Sequence, residues 1–254
     1  MNGDDVEVRD DSGELVLGYL PLAAGGGPFA DFVTAGSLGP DAAADAAARE
    51  LSGWRAATTD PQLVAALRER GAVLTRHAHI HSRDLIADPA PAAWAVPLLP
   101  FGLRITGWDR PLEEVAVVVQ AAYPPGHPDH HPRTSLDEVA AKDLRPYVLE
   151  EVLGPMLPVG GLVVDQERVV ALLAVTDRQG VAPDGGPWVV DVARLPDPAY
   201  AGAGAALLQR ALALLTEAGA PSLSLAVSEG NPARRLYERL GLVHAYSAWT
   251  LAIP

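Results

Sequence analysis

The sequence predicts an α/β fold, with helices and strands alternating around one mixed sheet. Three observations point there. Short β-branched runs alternate with segments of helical spacing along most of the chain. Glycine and proline punctuate the ends of those segments, where helices and strands stop. The 254 residues, 49% hydrophobic and 20% charged, can bury a sizeable core and leave room for one full domain plus a smaller one.

The elements follow in order. In the first part, Leu15–Leu20 reads as a strand, Pro40–Leu51 as a helix, Trp54–Thr58 as a strand, Pro61–Arg70 as a helix and Val73–Ile80 as a strand. Four prolines between Ala87 and Pro100 break any long helix, so this stretch is expected to be an extended linker. The division is therefore placed at residues 1–96 and 97–254. After it, Leu103–Thr106 is a strand, and Pro111–Ala122 a helix with its proline in the first turn. Ser135–Leu144 opens on the capping-box pair Ser135 and Glu138, with a further helical turn at Tyr147–Leu153. Val159–Asp165 and Arg168–Thr176 form a hairpin, and Trp188–Ala193 is the next strand. A helix from about Gly204 to Ala218 is closed by Gly219; Leu223–Val227 is a strand. Pro232–Leu240 is a helix ended by Gly241, and Val243–Leu251 is the last strand.

Composition excludes several classes. With no cysteine there is no disulfide framework, thiol nucleophile or cysteine-ligated metal. A formal net charge of −13 with no Lys/Arg run makes nucleic acid and anionic membranes poor partners. The acidic start lacks the features of a secretory signal, and no apolar run approaches the ~20 residues a membrane helix needs. A cytoplasmic location is expected.

Two motifs carry chemistry. In Pro198–Leu208, glycines at 202 and 204 follow a strand and open a helix, so backbone N–H groups can converge on an anion at the positive end of the helix dipole. Alone, this is equally a tight strand-to-helix turn. The second is Ser228-Glu229-Gly230-Asn231-Pro232-Ala233-Arg234-Arg235-Leu236-Tyr237-Glu238-Arg239-Leu240-Gly241-Leu242, in which Asn231 caps a helix that Gly241 ends. It closely resembles the Asn-x-Ala-(x)3-Tyr-x-x-Leu-Gly-Phe segment of the GNAT superfamily of N-acyltransferases, with Leu242 in place of the usual Phe. The glycine motif stands about thirty residues ahead of it, in the order that family uses.

The resemblance implies a mostly antiparallel sheet with helices on both faces, splayed between its fourth and fifth strands to admit acetyl-CoA or another acyl-CoA as co-substrate. Val192, Ala193 and Arg194 would pair with the pantetheine arm. Gly202, Ala203, Gly204 and Ala205 would take the pyrophosphate, and Asn231 and Arg234 would complete the cofactor set. Tyr237 would face the thioester sulfur as general acid; the alternative is a packed core tyrosine. Asp191, on the strand face opposite Val190 and Val192, reads either as the base for the amine or as a carboxylate bonded to Arg194 or a backbone amide. Ala199 and Ala201 replace polar and basic residues usual at the phosphate loop, which removes a charge-assisted contact. The implied activity is N-acetylation of an amine on a small molecule or peptide, without metal. A non-catalytic acyl-CoA sensor is the rival.

Two histidine groups stand apart. His127, His130 and His131 lie where that family walls its acceptor pocket, and read as acceptor-recognition groups or as solvated loop residues. His77, His79 and His81 share one strand face, as metal ligands or as a polar outer face. The first part echoes the second: placing Gly71 on Gly241 aligns Pro61–Ala72 with Asn231–Leu242. It reads as a degenerate half-copy without a cofactor loop, although Ala24-Gly25-Gly26-Gly27 is near. As a structural partner, lid or dimerisation surface, it leaves a homodimer open.

Overall fold

The computed structural model describes residues 5–24, 27–149, 153–177 and 185–254. They form two compact units, one of 1–80 with 246–254 and the other of 81–245. The division falls at Ile80/His81, ahead of the proline-rich stretch. Strand β5 (Val73–Asp84) starts in the first unit and ends in the second, while β11 (Val243–Ala252) does the converse.

In the first unit, β1 (Val6–Arg9), β2 (Leu15–Ala24) and β3 (Gly27–Ala35) make an antiparallel meander. Strand β4 (Arg55–Thr58) runs parallel to β3, with Phe29 opposite Arg55. The end of β11 pairs antiparallel with β4, from Trp249↔Thr58 to Ala252↔Arg55. Helix α1 (Gly39–Glu50) buries Ala43, Ala44, Ala46 and Ala47, whose small side chains allow a close approach to its neighbours. Helix α2 (Pro61–Glu69) starts at an Asp60 cap, where the Gln62 amide donates to Oδ1 at 2.8 Å, and buries Leu63, Val64 and Leu67. The sequence reading missed β1 and β3. A four-residue edge strand carries little pattern, and β3 is interrupted by Phe32 at φ 49° and by a proline near its start. Gly25 and Gly26 of the glycine run lie outside the described residues.

In the second unit, β6 (Leu103–Thr106), β7 (Gly161–Asp165), β8 (Arg168–Asp177) and β9 (Pro187–Arg194) are antiparallel neighbours in that order. Strand β10 (Ser222–Ser228) then lies parallel to β9. Every residue of β8 from Val169 to Thr176 is buried, so both faces of the sheet are covered there. Helices α3 (Leu112–Ala122) and α6 (Ala203–Glu217) both pack on β8 and supply that cover. This is a mixed, mostly antiparallel sheet with helices, as the sequence led us to expect.

The proline-rich stretch is not a free linker. Its Trp94 packs against the second unit's core, Ala90 is buried, and the Ala90 amide donates to Thr216 Oγ1 of α6 at 3.1 Å. Apolar side chains between the prolines drive this docking, which a breaker count alone does not anticipate. The capping box forms: the Glu138 amide donates to Ser135 Oγ at 3.2 Å, and Glu138 Oε2 accepts from the Thr134 amide at 2.7 Å. From there α4 (Leu136–Val139), a π-helical turn (Ala140–Leu144) and α5 (Arg145–Val148) follow without a break. Pro146 has no N–H to close an ordinary turn, and the Arg145 amide reaches back five residues to Ala140 C=O. The expected turn at Tyr147–Leu153 is described only in part, since 150–152 lie outside the described residues. Helix α7 (Arg234–Arg239) is the last helix.

Candidate active site

The site lies in the second unit, where β9 and β10 part. They pair only at Ser224↔Trp188 and Leu225↔Val189. Beyond Val189, the rest of β9 has no β10 residue opposite it, and Val192, Ala193 and Arg194 lie on that side of the parting. On its other edge the same stretch remains paired with β8, Arg194 opposite Ala171 and Val192 opposite Leu173. A register shift between Ala174 and Val175 of β8, opposite the stretch from Asp191 to Val189, marks a bulge. It increases local twist just where the two parallel strands separate.

Helix α6 starts beside that stretch. Gly202 caps it at φ 88°, a conformation costly for other residues, and no side chain caps the helix. The first helical amide with a backbone acceptor is that of Ala206, on Gly202 C=O at 2.9 Å. The amides of Ala203, Gly204 and Ala205 are therefore the helix's orphan donors, and no acidic residue sits in this first turn. Gly204 lies against Val192: a Cβ there would be 3.6 Å from Val192 Cγ2. The donor set suits a pyrophosphate. The loop ahead of it works against one. Asp197 is exposed and spends Oδ1 on the Ala199 amide at 2.8 Å, while Arg194 donates to the Leu195 and Asp197 carbonyls at 2.7 and 3.2 Å. The cation nearest in sequence thus braces the loop.

Asp191 faces the other way from Val192, toward the end of α3. Tyr123, the residue that ends α3, donates its hydroxyl to Asp191 Oδ1 at 2.6 Å, with Val192 C=O a second acceptor at 3.3 Å. Of the partners considered from sequence, the backbone amide is present, from Val192, and Arg194 is not; the Tyr123 hydroxyl was not anticipated. Both side chains, Asp191 and Tyr123, keep some exposed surface but are densely enclosed. Burial lifts the Asp191 carboxyl to about 6, the charges of Asp129 and Asp143 add to the rise, and the bonds from Tyr123 and Val192 oppose it. The Tyr123 phenol is pushed well up by burial and then by Asp191.

Tyr237 lies on α7 and is 6% exposed. Burial first, then the charges of Asp191 and Asp129, raise its phenol, so it holds its proton throughout the working pH range. The end of α7 is fixed from outside the helix. Arg83, itself buried, donates to Leu240 C=O at 2.7 Å and to the Asp88 and Pro89 carbonyls, and lies over the Trp94 ring at 5.5 Å. A Cβ on Gly241 would meet that guanidinium at 3.2 Å, which adds a packing reason to the positive φ of 79°.

Asn231 is engaged at both ends of its side chain. Oδ1 accepts from the Ala233 amide at 2.8 Å, and Nδ2 donates to Asp129 Oδ2 at 2.8 Å. Ser228 donates to Asp129 Oδ1 at 2.5 Å, so one carboxylate bolts the loop after α3 to the strand and turn ahead of α7. Arg234 forms an exposed i,i+4 pair with Glu238 at 3.0 Å. In the loop, His127 Nδ1 accepts from the Asp129 amide at 3.1 Å, which puts its proton on Nε2. His130 Nδ1 faces Tyr123 C=O at 2.7 Å and must carry a proton there, since a carbonyl only accepts. Both histidines hold the loop's shape; His131 is exposed, 3.8 Å from Asp143. Of the other group, His77 stacks on Trp249 at 5.1 Å and His79 meets Ser247 Oγ at 2.9 Å in the first unit. His81 is buried in the second unit, edge-on to His244 at 5.8 Å. Sequence reasoning missed Tyr123, Asp129 and Arg83, because none sits in a motif and only the fold brings them to this place.

The acetyltransferase (GNAT) family model matches residues 116–242. A search of curated proteins finds no match. Among solved structures, a GCN5-related N-acetyltransferase from Sphaerobacter thermophilus is similar over 97% of this chain and 79% of its own, at 16% identity and TM-score 0.60. A tandem GNAT protein from the clavulanic acid biosynthesis pathway is similar over 98% and 83%, at 17% identity and TM-score 0.60. A GCN5-related N-acetyltransferase from Kribbella flavida is similar over 94% and 86%, at 21% identity and TM-score 0.56. At these identities the likeness is one of fold. No helix of the described residues is long and apolar enough to cross a membrane.

Proposed function

Because the chain belongs to the acetyltransferase (GNAT) family, we propose that its second unit transfers an acyl group, acetyl in the first instance, from acyl-CoA to an amine. The observation that carries this is the pairing of three orphan amides on α6 with the unpaired edge of Val192–Arg194, with the Asp191 carboxyl on the opposite side of the same strand. Starting from an ammonium, the chemistry needs two protons to leave nitrogen, one of which goes to solvent while one arrives on sulfur. Asp191 takes the proton that an incoming ammonium must shed, and passes it to solvent through the open side of the cleft. The neutral amine attacks the thioester carbonyl, so the C–N bond forms and the C–S bond breaks without a covalent enzyme intermediate. Tyr237, kept protonated, donates its hydrogen bond to the departing sulfur and serves as general acid; the proton shed by nitrogen in the attack balances it.

In this reading the Ala203, Gly204 and Ala205 amides hold the pyrophosphate, while Asn231 acts through Asp129 to place the acceptor loop more than by touching the cofactor. The first unit is a partner without a cofactor site, and the protein works in the cytoplasm. One observation favours the rival reading of a non-catalytic acyl-CoA sensor: the phosphate loop offers a carboxylate, Asp197, and no free cation in its place. Acetyl-CoA turnover over a panel of amines separates the two. Release of CoA with at least one amine is expected; tight acetyl-CoA binding without turnover of any amine would favour the sensor.

A further inference from the structure

We propose that Tyr123 is the positioning residue for the proposed base: its hydroxyl trades hydrogen bonds between the Asp191 carboxyl and the Val192 carbonyl, and so holds that carboxyl in one place before and after it takes a proton. The proposal rests on the transferase reading above and adds to it a residue that acts through the base.

The placement begins in the sequence. Pro124 disfavours the α conformation at the residue before it, so α3 stops at Tyr123, with φ −117° and ψ 63°. The Tyr123 amide still donates to Val119 C=O at 3.1 Å, and the Tyr123 carbonyl accepts from His130 Nδ1 at 2.7 Å. The ring lies against that of His127, with centroids 5.1 Å apart. Backbone and ring are thus fixed, and the hydroxyl sits between two acceptors, Asp191 Oδ1 at 2.6 Å and Val192 C=O at 3.3 Å.

A phenol has one proton to give and lone pairs with which to receive. While Asp191 is ionised, its carboxylate is the nearer and stronger acceptor and takes the Tyr123 hydrogen bond. Once Asp191 has taken a proton from the ammonium, its own O–H donates to the Tyr123 oxygen, and the Tyr123 O–H turns to Val192 C=O. One proton has arrived, none has left the pair, and only a hydroxyl has rotated. Tyr123 does not itself give up its proton, because burial and then the Asp191 charge push its phenol well up.

Nothing else around Asp191 supplies this hold. The Val192 amide is the one other group that favours the carboxylate, while Asp129 and Asp143 disfavour it. The phenols of Tyr147 and Tyr237 feel the Asp191 charge but carry none of their own. His127 and His130 face Tyr123, and their Nδ1 atoms are taken by the Asp129 amide and the Tyr123 carbonyl.

The test uses the full chain without cofactor, isotope-labelled at the aspartate carboxyls and at tyrosine Cζ, with both signals assigned through the backbone by NMR. In wild type the Asp191 carboxyl should titrate at about pH 6, and Tyr123 Cζ should step at the same midpoint as its hydrogen bond changes acceptor. In Tyr123→Phe the Asp191 midpoint should rise by about one pH unit or more. With acetyl-CoA and an amine, the acid limb of kcat/KM should move up by the same amount and the plateau of kcat fall about tenfold, with acetyl-CoA affinity unchanged. An Asp191 midpoint that is equal or lower in the variant would overturn the proposal, as would a Tyr123 signal that crosses the wild-type midpoint without a step. The wild-type step decides even where the variant does not fold. If no amine is acetylated yet the midpoint moves and Tyr123 steps, the transferase reading fails and the hold of Tyr123 on the carboxyl stands.

Discussion

The two units build one local arrangement twice and differ where chemistry would sit. In each, a strand pairs in parallel with the next strand, and the helix between them opens at a glycine of positive φ, Gly39 at 86° and Gly202 at 88°. In each, a short second helix ends at a glycine and closes with the same pair of bonds. The Ala72 and Leu242 amides reach Leu67 and Tyr237 C=O at 3.0 Å, and those of Gly71 and Gly241 reach Arg68 and Glu238 C=O at 3.0 and 3.1 Å. The side chains part company at three aligned places. After Gly39 come Pro40, which has no amide, and Asp41, a carboxylate in the first turn; after Gly202 come Ala203 and Gly204, two free amides and no charge. Where α7 carries Tyr237, α2 carries Leu67, buried in an apolar core. The backbone scaffold is therefore shared, and a few side chains and one missing amide separate the proposed cofactor cradle from a packing unit.

The largest way to break this contrast is at the aligned pair. Tyr237→Phe should lower kcat by about 10²-fold or more, the range of a lost general acid, with the melting temperature unchanged. Leu67→Ala should do the reverse, costing about 2–5 kcal/mol in chemical denaturation while the folded fraction keeps its acetyl-CoA affinity. Unchanged turnover in Tyr237→Phe across a pH series would remove the proton-donor role.

The two helix ends sharpen it next. Arg83→Ala strips charged bonds from the Leu240, Asp88 and Pro89 carbonyls in a buried place, a loss of about 2–3 kcal/mol by denaturant titration. It should lower kcat more than it weakens acetyl-CoA, because it loosens the helix that carries Tyr237. Arg70, at the end of α2, bonds Ala66 C=O and pairs with exposed Asp45 at 2.6 Å. Arg70→Ala should cost under about 1 kcal/mol.

Asp191 lies on β9, in the second unit. Its folded pKa is raised from 3.8 to about 6, so its contribution to stability is lost as pH rises from 3.8 through 6 and is adverse above. Asp191→Asn should gain on the order of 2 kcal/mol at pH 8 in thermal unfolding, a gain that fades toward pH 4, while acetyl transfer collapses. For wild type, kcat/KM should rise with unit slope below about pH 6 and level off above it. A variant that is active, or no more stable at pH 8, would contradict the base assignment.

Much of this was legible from residues alone. Local signals settled the α6 glycines, the Gly241 helix end and the Ser135–Glu138 box, because caps and turns depend on neighbours in sequence; the last helix starts later than expected, at Arg234, with Ala233 and not Asn231 as its N-cap. The elements that escaped were those decided at long range. β3 is weakly patterned and forms because β2 and β4 flank it. The proline-rich stretch reads as a linker until Trp94 and Arg83 are seen to dock it. Within the site, Asp191 was visible but Tyr123 and Asp129, 68 and 102 residues from their partners Asp191 and Asn231, carried no local mark.

On the proposed reading, each chain holds one cofactor cradle, at the start of α6. Calorimetric titration with acetyl-CoA tests it most directly, on wild type, Gly204→Asp and Asp41→Ala. A Cβ at Gly204 would meet Val192 Cγ2 at an ordinary 3.6 Å, and Gly204→Asp brings to α6 the carboxylate that α1 already has. The account predicts one site in wild type, at least tenfold weaker binding in Gly204→Asp, about 1.4 kcal/mol, and no change in Asp41→Ala. Two sites per chain, or a Gly204→Asp variant that binds as tightly as wild type, would contradict it.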